Sequence, residues 1–140
     1  MASFVALYTP NLLSLATSLS EFPLSEDFVL RGSARSKSCG STLQLGLDID
    51  SSGRIARVGV KAAACAVGQA AAAIFAKGAT GRSGPDLARS RNDMTRWLRD
   101  GGPLPDWPGL EPLVPARDYP GRHGAIMLAW NAASDLLPLA

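Results

Sequence analysis

The sequence predicts an α+β fold, in which a three-stranded antiparallel sheet carries helices packed on one face. Three observations lead to this prediction: apolar and polar residues alternate over residues 42–50, turn-forming residues flank that stretch, and helical spacing of apolar residues follows residue 64. The chain has 140 residues, of which 46% are hydrophobic and 19% charged. That length suits one hydrophobic core, and we expect a single domain over residues 1–140.

A first helix is predicted over residues 10–20. Thr9 is a favourable N-cap, and Pro10 suits the first helical position because its fixed φ is already helical. Apolar residues then follow at helical spacing, namely Leu12, Leu15, Ala16 and Leu19. Pro23 excludes a continuation of this helix.

Three strands are predicted next, over residues 28–37, 42–50 and 55–60. The apolar faces of the second and third strands are formed by Leu43, Leu45, Leu47, Ile49, Ala56, Val58 and Val60. The connections are short and rich in turn residues, so neighbouring strands are antiparallel. On the first strand Arg31, Arg35 and Lys37 share one face. This face is interpreted either as solvated or as a docking surface for an acidic partner.

Helices dominate the remainder of the chain. They are predicted over residues 64–77 with Gly78 as C-cap, from a capping box at Ser83 and Asp86 to Gly101, and over residues 124–137. The prolines between residues 103 and 120 predict a long loop without regular structure. Trp107 and Tyr119 in that loop are interpreted as anchors to the core or as a cover over a site.

Charge and composition limit the possible partners and locations. Lys and Arg number 14 against 12 Asp and Glu, a formal net charge of +2, which gives no case for nucleic-acid binding. The most membrane-like run, residues 62–76, is shorter than the about 20 residues that a spanning helix requires. The first basic residue is Arg31, so the charged region of a secretory signal is missing. We therefore expect a cytoplasmic protein with neither a membrane nor a nucleic-acid partner.

The two cysteines are predicted to meet at one edge of the sheet. Cys39 follows the first strand in a Gly/Ser turn, and Cys65 follows the third strand at the start of the alanine-rich helix. An odd number of short antiparallel strands separates them, which brings both to the same end. Thiolates there could bind soft metals or accept sulfur. Two purely structural, buried cysteines and a dithiol redox pair are the alternatives.

Longer segments resemble the IscU/NifU/SufU-type iron–sulfur cluster scaffold family. The turn S-C-G-S at residues 38–41 is similar to the family's Ala-Cys-Gly-Asp turn, and LQLGLDIDSSGRI is similar to its two-stranded return. VKAAACAVGQAAAA matches the segment of its second ligand cysteine, and YPGRHGAIMLAW resembles a SufU-type C-terminal segment. The resemblance covers about residues 8–137 and implies a SufE/IscU-like fold and a scaffold that is not an enzyme.

The resemblance also implies a site and its departures from the family pattern. Cys39 and Cys65 correspond to two ligand cysteines, whereas Ala125 stands at the third cysteine position and Ser41 at the Asp position. The implied cofactor is a transient iron–sulfur cluster or zinc, with His123 as a candidate third ligand. The implied partners are a cysteine desulfurase and recipient apo-proteins. A degenerate, non-metal interaction module on the same fold is the alternative function.

Overall fold

The computed structural model of the chain describes residues 7–137. Along the chain follow α1 (Pro10–Ser18), β1 (Leu30–Arg35), β2 (Thr42–Ile49), β3 (Ile55–Ala63), α2 (Ala66–Ala79), α3 (Gly84–Asp100) and α4 (Pro120–Leu136). Short 3-10 helices, Leu19–Glu21 and Glu111–Asp118, follow α1 and precede α4. The predicted α+β class with a three-stranded antiparallel sheet is confirmed.

The sheet is an antiparallel meander with the strand order β1-β2-β3. Leu43, Leu45 and Leu47 point from β2 into the core and are buried. The predicted apolar faces are wrong at two positions, since Ile49 is 42% exposed and Ala56 is exposed too. The reason is a register shift next to Asp48, where Ile49 pairs with Ile55 and one residue of β3 has no partner.

Helices cover one face of the sheet. α2 and α4 contact the strands, while α1 packs on α2 and α3 packs on α4. Ten of the fourteen residues of α2 are buried, because this helix lies between the sheet and other helices. Its many alanines and Gly68 allow the neighbouring helices to approach closely.

The segment before β1 covers part of the opposite face. Gly46 and Gly59 pair across β2 and β3, and a Cβ on either glycine would overlap the ring of Phe28. Phe28 is buried in this position, and the Arg57 guanidinium lies 3.9 Å from its ring centroid. The end of this face that is near Arg35 and Thr42 is exposed.

The predicted helix boundaries are wrong at both ends of α2 and at the start of α4. Gly78 is not a C-cap but lies within α2, where the Trp107 indole occupies the space that a Cβ would take. α4 begins at Pro120, four residues before the predicted start, because proline is favourable in the first turn. Prolines also fit the 3-10 helix Glu111–Asp118, so the predicted loop has regular structure in part.

Trp107 anchors the proline-rich segment to the core, as one of the two interpretations proposed. It is 3% exposed, stacks on Phe75 with ring centroids 5.4 Å apart and meets Trp130 edge-on at 5.2 Å. Its Nε1–H donates to the Ile74 carbonyl over 3.0 Å. Among the helices within residues 7–137, none has both the length and the apolar character needed to cross a bilayer.

Candidate functional site

Both cysteines lie at the same end of the sheet. Thr42, the first residue of β2, pairs with Arg35 at the end of β1 and with Ala63 at the end of β3. Cys39 lies in the hairpin tip between β1 and β2, and Cys65 follows β3 by two residues. Neighbouring strands are about 4.8 Å apart, so both cysteines lie at one edge. Residues 36–41 and 64–66 are called the cysteine rim below.

The hairpin tip holds Cys39 in solvent. The Ser36 N–H donates to the Ser41 carbonyl over 2.8 Å, and the Gly40 N–H donates to the Ser36 carbonyl over 2.9 Å. Gly40 has a φ of 73°, a left-handed conformation that glycine adopts without a steric penalty. Cys39 is exposed as a result, and a reactant can approach it from solvent.

Two serine hydroxyls surround the Cys39 sulfur. The Ser36 and Ser41 Oγ atoms lie 3.3 Å and 3.1 Å from Sγ. Hydrogen bonds from Ser36, then from the Ser41 hydroxyl and backbone, lower the Cys39 pKa to about 7 from 9.0, with a further contribution from the positive charge of Arg122. A substantial fraction of Cys39 is therefore thiolate at neutral pH.

Cys65 occupies a different environment. It is the N-cap residue of α2, one position before the helix in which the sequence placed it, and its side chain makes no capping hydrogen bond. Its backbone carbonyl accepts from the Gln69 N–H over 2.9 Å, which fixes the start of the helix. The side chain is half-buried and packs against the core.

The start of α4 brings the third predicted position to the cysteine rim. A Cβ on Gly124 would overlap the Ser36 hydroxyl and lie 3.2 Å from the Ser38 Oγ. The next residue, Ala125, is 1% exposed and faces Gly68 of α2, one turn after Cys65. Ala125 therefore lies between the hairpin tip and the N-terminal turn of α2, and a methyl group fills the position.

His123 is held by a neighbouring segment. Its Nε2 lies 2.8 Å from the Arg117 carbonyl, so that nitrogen carries the proton and donates. The ring lines a groove between α3 and α4, together with Thr95, Leu98 and Arg99. Within residues 7–137, no three His, Cys, Asp or Glu side chains form a group that could hold a metal ion. This arrangement gives no support to zinc, and ligation by His123 stays a prediction.

Four residues of the site were missed by the sequence interpretation. Ser36 contacts the reactive sulfur, Gly124 makes room for Ser36, Gly68 faces Ala125, and the charge of Arg122 acts on Cys39. The three serines of residues 36–41, S-K-S-C-G-S, could have indicated that hydroxyl groups contact the Cys39 sulfur. The sequence contains no signal for Gly68 and Gly124, because their importance arises from contacts between elements distant along the chain.

Comparisons with known proteins place this geometry in context. No protein-family model matches the chain, and no curated protein sequence matches it either. Solved structures do match. The N-terminal part of a NifU-like protein from Brucella abortus superimposes with a TM-score of 0.84 at 27% identity, over 94% of this chain and 92% of that one. This chain is a structural relative of NifU-like proteins. The resemblance to the IscU/NifU/SufU-type family is thus confirmed.

Two further structures share the NifU-like fold. One is a putative iron–sulfur cluster assembly scaffold protein for the SUF system from Fervidobacterium islandicum AW-1, with a TM-score of 0.79 and 16% identity over 97% of this chain and 100% of that chain. The other is a hypothetical protein, with a TM-score of 0.68 and 18% identity over 89% and 95% of the two chains. At these identities the two structures support the fold alone.

The NifU-like fold of this chain therefore presents one exposed thiol of lowered pKa and one half-buried thiol at a single edge of its sheet. The first can act as a nucleophile towards sulfur, since thiolates attack disulfides and persulfides. The second can act as an additional sulfur ligand. Because Ala125 stands at the third predicted position, this edge offers two thiols rather than three.

Proposed function

We propose that this protein acts in iron–sulfur cluster assembly and accepts sulfur at Cys39 from a cysteine desulfurase. The observation that carries the proposal is the exposed Cys39 sulfur, held by two hydroxyls in a hairpin tip that shares its edge with Cys65. The NifU-like fold supports the assignment. A purely structural cysteine would be expected in the core, whereas Cys39 is exposed.

The proposed step is a thiol–persulfide exchange. The Cys39 thiolate attacks the terminal sulfur of the persulfide on the donor, the donor's S–S bond breaks, and a new S–S bond forms at Cys39. The donor cysteine leaves as a thiolate, and the proton stays on the transferred sulfur or passes to water. One S–S bond is broken and one S–S bond is formed, so no external oxidant or reductant is needed.

Cys65 is proposed to act after this step, when iron and sulfur are combined. A two-iron cluster takes four thiolate or imidazole ligands, and the cysteine rim offers two. The cluster is therefore cargo, held in part by Cys39 and Cys65 and in part by a recipient apo-protein, with His123 as a candidate third ligand from this chain. The protein hands on sulfur or a cluster and is not itself an enzyme.

The experiment that tests sulfur acceptance uses the cysteine desulfurase of the same organism with free cysteine as sulfur source. Intact-mass measurement is expected to show a gain of one sulfur atom that reducing agent removes. The Cys65→Ser variant is expected to retain this gain and the Cys39→Ser variant to lose it. Absence of the gain in the wild-type chain, or its location on Cys65, contradicts the proposal.

A non-metal interaction module on the same fold is the second candidate, because Ala125, at the third predicted cysteine position, is buried against Gly68 and offers no ligand. In that case the protein binds its partner without using the thiols of Cys39 and Cys65. Both Cys39→Ser and Cys65→Ser would then bind the desulfurase with wild-type affinity, and no sulfur would be transferred. Anaerobic reconstitution that leaves iron and sulfide on the wild-type chain would contradict this second candidate.

A further inference from the structure

The charges of this protein are unevenly distributed. Residues 28–47 and 51–85 contain no Asp or Glu, although the whole chain has 12 acidic residues and a net charge of only +2. β1, β3 and α2 lie entirely in these two segments, and the acidic residues of β2 are limited to its far end at Asp48. These strands and α2 therefore carry no carboxylate at the end of the sheet where the cysteine rim lies.

The strand register collects several cations on the exposed face of the sheet. Arg31 and Arg35 alternate along β1 and are exposed. Lys61 of β3 pairs with Gln44, which itself pairs with Ser33 between the two arginines. Since paired residues point to the same side of a sheet, Lys61 shares the face with Arg31 and Arg35. Lys37 extends this set into the hairpin tip, two residues before Cys39.

Carboxylates do not neutralise this set, which is called the basic face below (Arg31, Arg35, Lys37 and Lys61). The cations that form ion pairs within residues 7–137 are Arg54, Arg57, Arg89 and Arg96. The carboxylate that β2 contributes to this side of the sheet, Asp48, is bound by Arg57 over 2.6 Å at the far end. Arg31 donates to the Ser25 carbonyl, a neutral acceptor.

Between the cations the surface is largely polar, and no helix covers it. Ser33, Thr42 and Gln44 are exposed in adjacent rows and line shallow depressions with Arg31 and Arg35. The helices pack on the opposite face, and Phe28 and Leu24 cover the row formed by Arg31, Gly46 and Gly59, which leaves the rows towards Thr42 uncovered. A partner can therefore lie directly on the strands and reach the Cys39 sulfur at the end of the same hairpin.

We infer that the basic face is the docking surface for an acidic patch on the protein that delivers sulfur to Cys39. This inference rests on the proposed function and adds the surface and the charge of the partner to it. A protein partner is favoured over nucleic acid because the cations adjoin the nucleophile and the whole chain is only weakly basic. Complementary charges steer a partner to one orientation and raise the association rate by a factor of about 10 to 1000 at low salt.

The inference is tested by the rate of sulfur transfer from the same organism's cysteine desulfurase to Cys39, measured at subsaturating donor concentration over a range of salt concentrations. Arg35→Glu and Lys61→Glu are each expected to lower the low-salt rate on the order of tenfold. Arg35→Gln should give an intermediate loss. The salt dependence of the rate should become flatter in every one of these variants, because fewer charges are left to screen.

Arg89→Glu is the matched control, since Arg89 is an exposed cation of α3 on the helical side of the molecule, with a side chain 68% exposed. It is expected to transfer sulfur at the wild-type rate. Alkylation of Cys39 by uncharged iodoacetamide, measured in a Cys65→Ser background, should be nearly equal in all variants. An equal alkylation rate in a variant that has lost sulfur transfer shows that its fold and its Cys39 nucleophile are intact.

The outcomes separate the two proposals. Transfer that proceeds equally in wild type, Arg35→Glu and Lys61→Glu overturns the docking surface and leaves the proposed function standing. No transfer to wild-type Cys39 overturns the proposed function. The docking surface would also be overturned if Arg35→Glu and Lys61→Glu weakened binding to phosphatidylserine vesicles or to a duplex oligonucleotide but left sulfur transfer from the desulfurase unchanged.

Discussion

Ala125 of α4 faces Gly68 of α2 so closely that a Cβ added to the glycine would lie 3.2 Å from the alanine Cβ. Gly68 lies one helical turn after Cys65, and Gly124, which precedes Ala125, touches the hairpin tip of Cys39. The alanine methyl thus occupies the space between the two cysteine-bearing segments. With alanine at this position, the cysteine rim and the start of α4 carry two thiols, those of Cys39 and Cys65.

Replacing Ala125 by cysteine tests this arrangement. We expect Ala125→Cys to retain more iron and sulfide than wild type after anaerobic reconstitution, because a third thiol is added between Cys39 and Cys65. The larger side chain should lower the unfolding free energy by about 1–3 kcal/mol, the usual range for overpacking. Ala129→Cys is the control, since Ala129 is equally buried at 1% but lies one turn further along α4. Equal iron retention in both variants would contradict a site at this position.

The reactivity of Cys39 should depend on pH near neutrality. In a Cys65→Ser background, the rate of alkylation by iodoacetamide is expected to rise with pH through a midpoint of about 7. Ser36→Ala and Ser41→Ala remove hydroxyls that stabilise the thiolate, so each should move the midpoint to higher pH. Ser33→Ala, an exposed serine of β1, is the control. A midpoint that stays near 9 in the parent Cys65→Ser protein would show that the hydroxyls do not act on the sulfur.

The same lowered pKa links Cys39 to folding stability. Because the pKa is lower in the folded chain than in the unfolded one, the hydroxyls stabilise the fold fully only above the unfolded value. This contribution is lost as the pH falls through about 7. Unfolding free energies of wild type and Cys39→Ala, compared at about pH 6 and about pH 10, about one unit outside the interval between the folded and unfolded pKa values, should differ more at the higher pH. An equal difference at both values would contradict the linkage.

Gly124 is expected to influence Cys39 through Ser36. Alanine normally stabilises a helix by about 1 kcal/mol relative to glycine, but at this position its Cβ would overlap the Ser36 hydroxyl. Gly124→Ala should therefore raise the pH midpoint of Cys39 alkylation, as Ser36→Ala does. The two substitutions together should shift the midpoint no further than Ser36→Ala alone. Additive shifts would mean that Gly124 acts by another route.

Trp107 should contribute to stability without affecting the cysteine rim. Trp107→Ala removes the ring contacts with Phe75 and Trp130 and the indole hydrogen bond to the Ile74 carbonyl. We expect a loss of about 3–5 kcal/mol in unfolding free energy from denaturant titration, and a smaller loss for Trp107→Phe. Cys39 alkylation should stay unchanged in folded protein, because Trp107 packs at the C-terminal end of α2 and Cys65 marks the other end. A loss below about 1 kcal/mol would contradict the anchoring role.

The sequence by itself determined the three-strand meander and the meeting of both cysteines at one end of it. Strand alternation and turn chemistry are local properties, and the parity of short antiparallel strands follows from them. The capping box of Ser83 and Asp86 and the left-handed Gly101 at the end of α3 were predictable for the same reason.

Only the tertiary structure decided what surrounds the Cys39 sulfur and what surrounds Ala125, the third predicted cysteine position. The overlap between Gly124 and Ser36, the contact of Ala125 with Gly68 and the indole on Gly78 join segments far apart in sequence. The same holds for the irregular pairing that exposes Ile49 and Ala56. These features depend on how whole elements pack against one another, and no local propensity or periodicity encodes such distances.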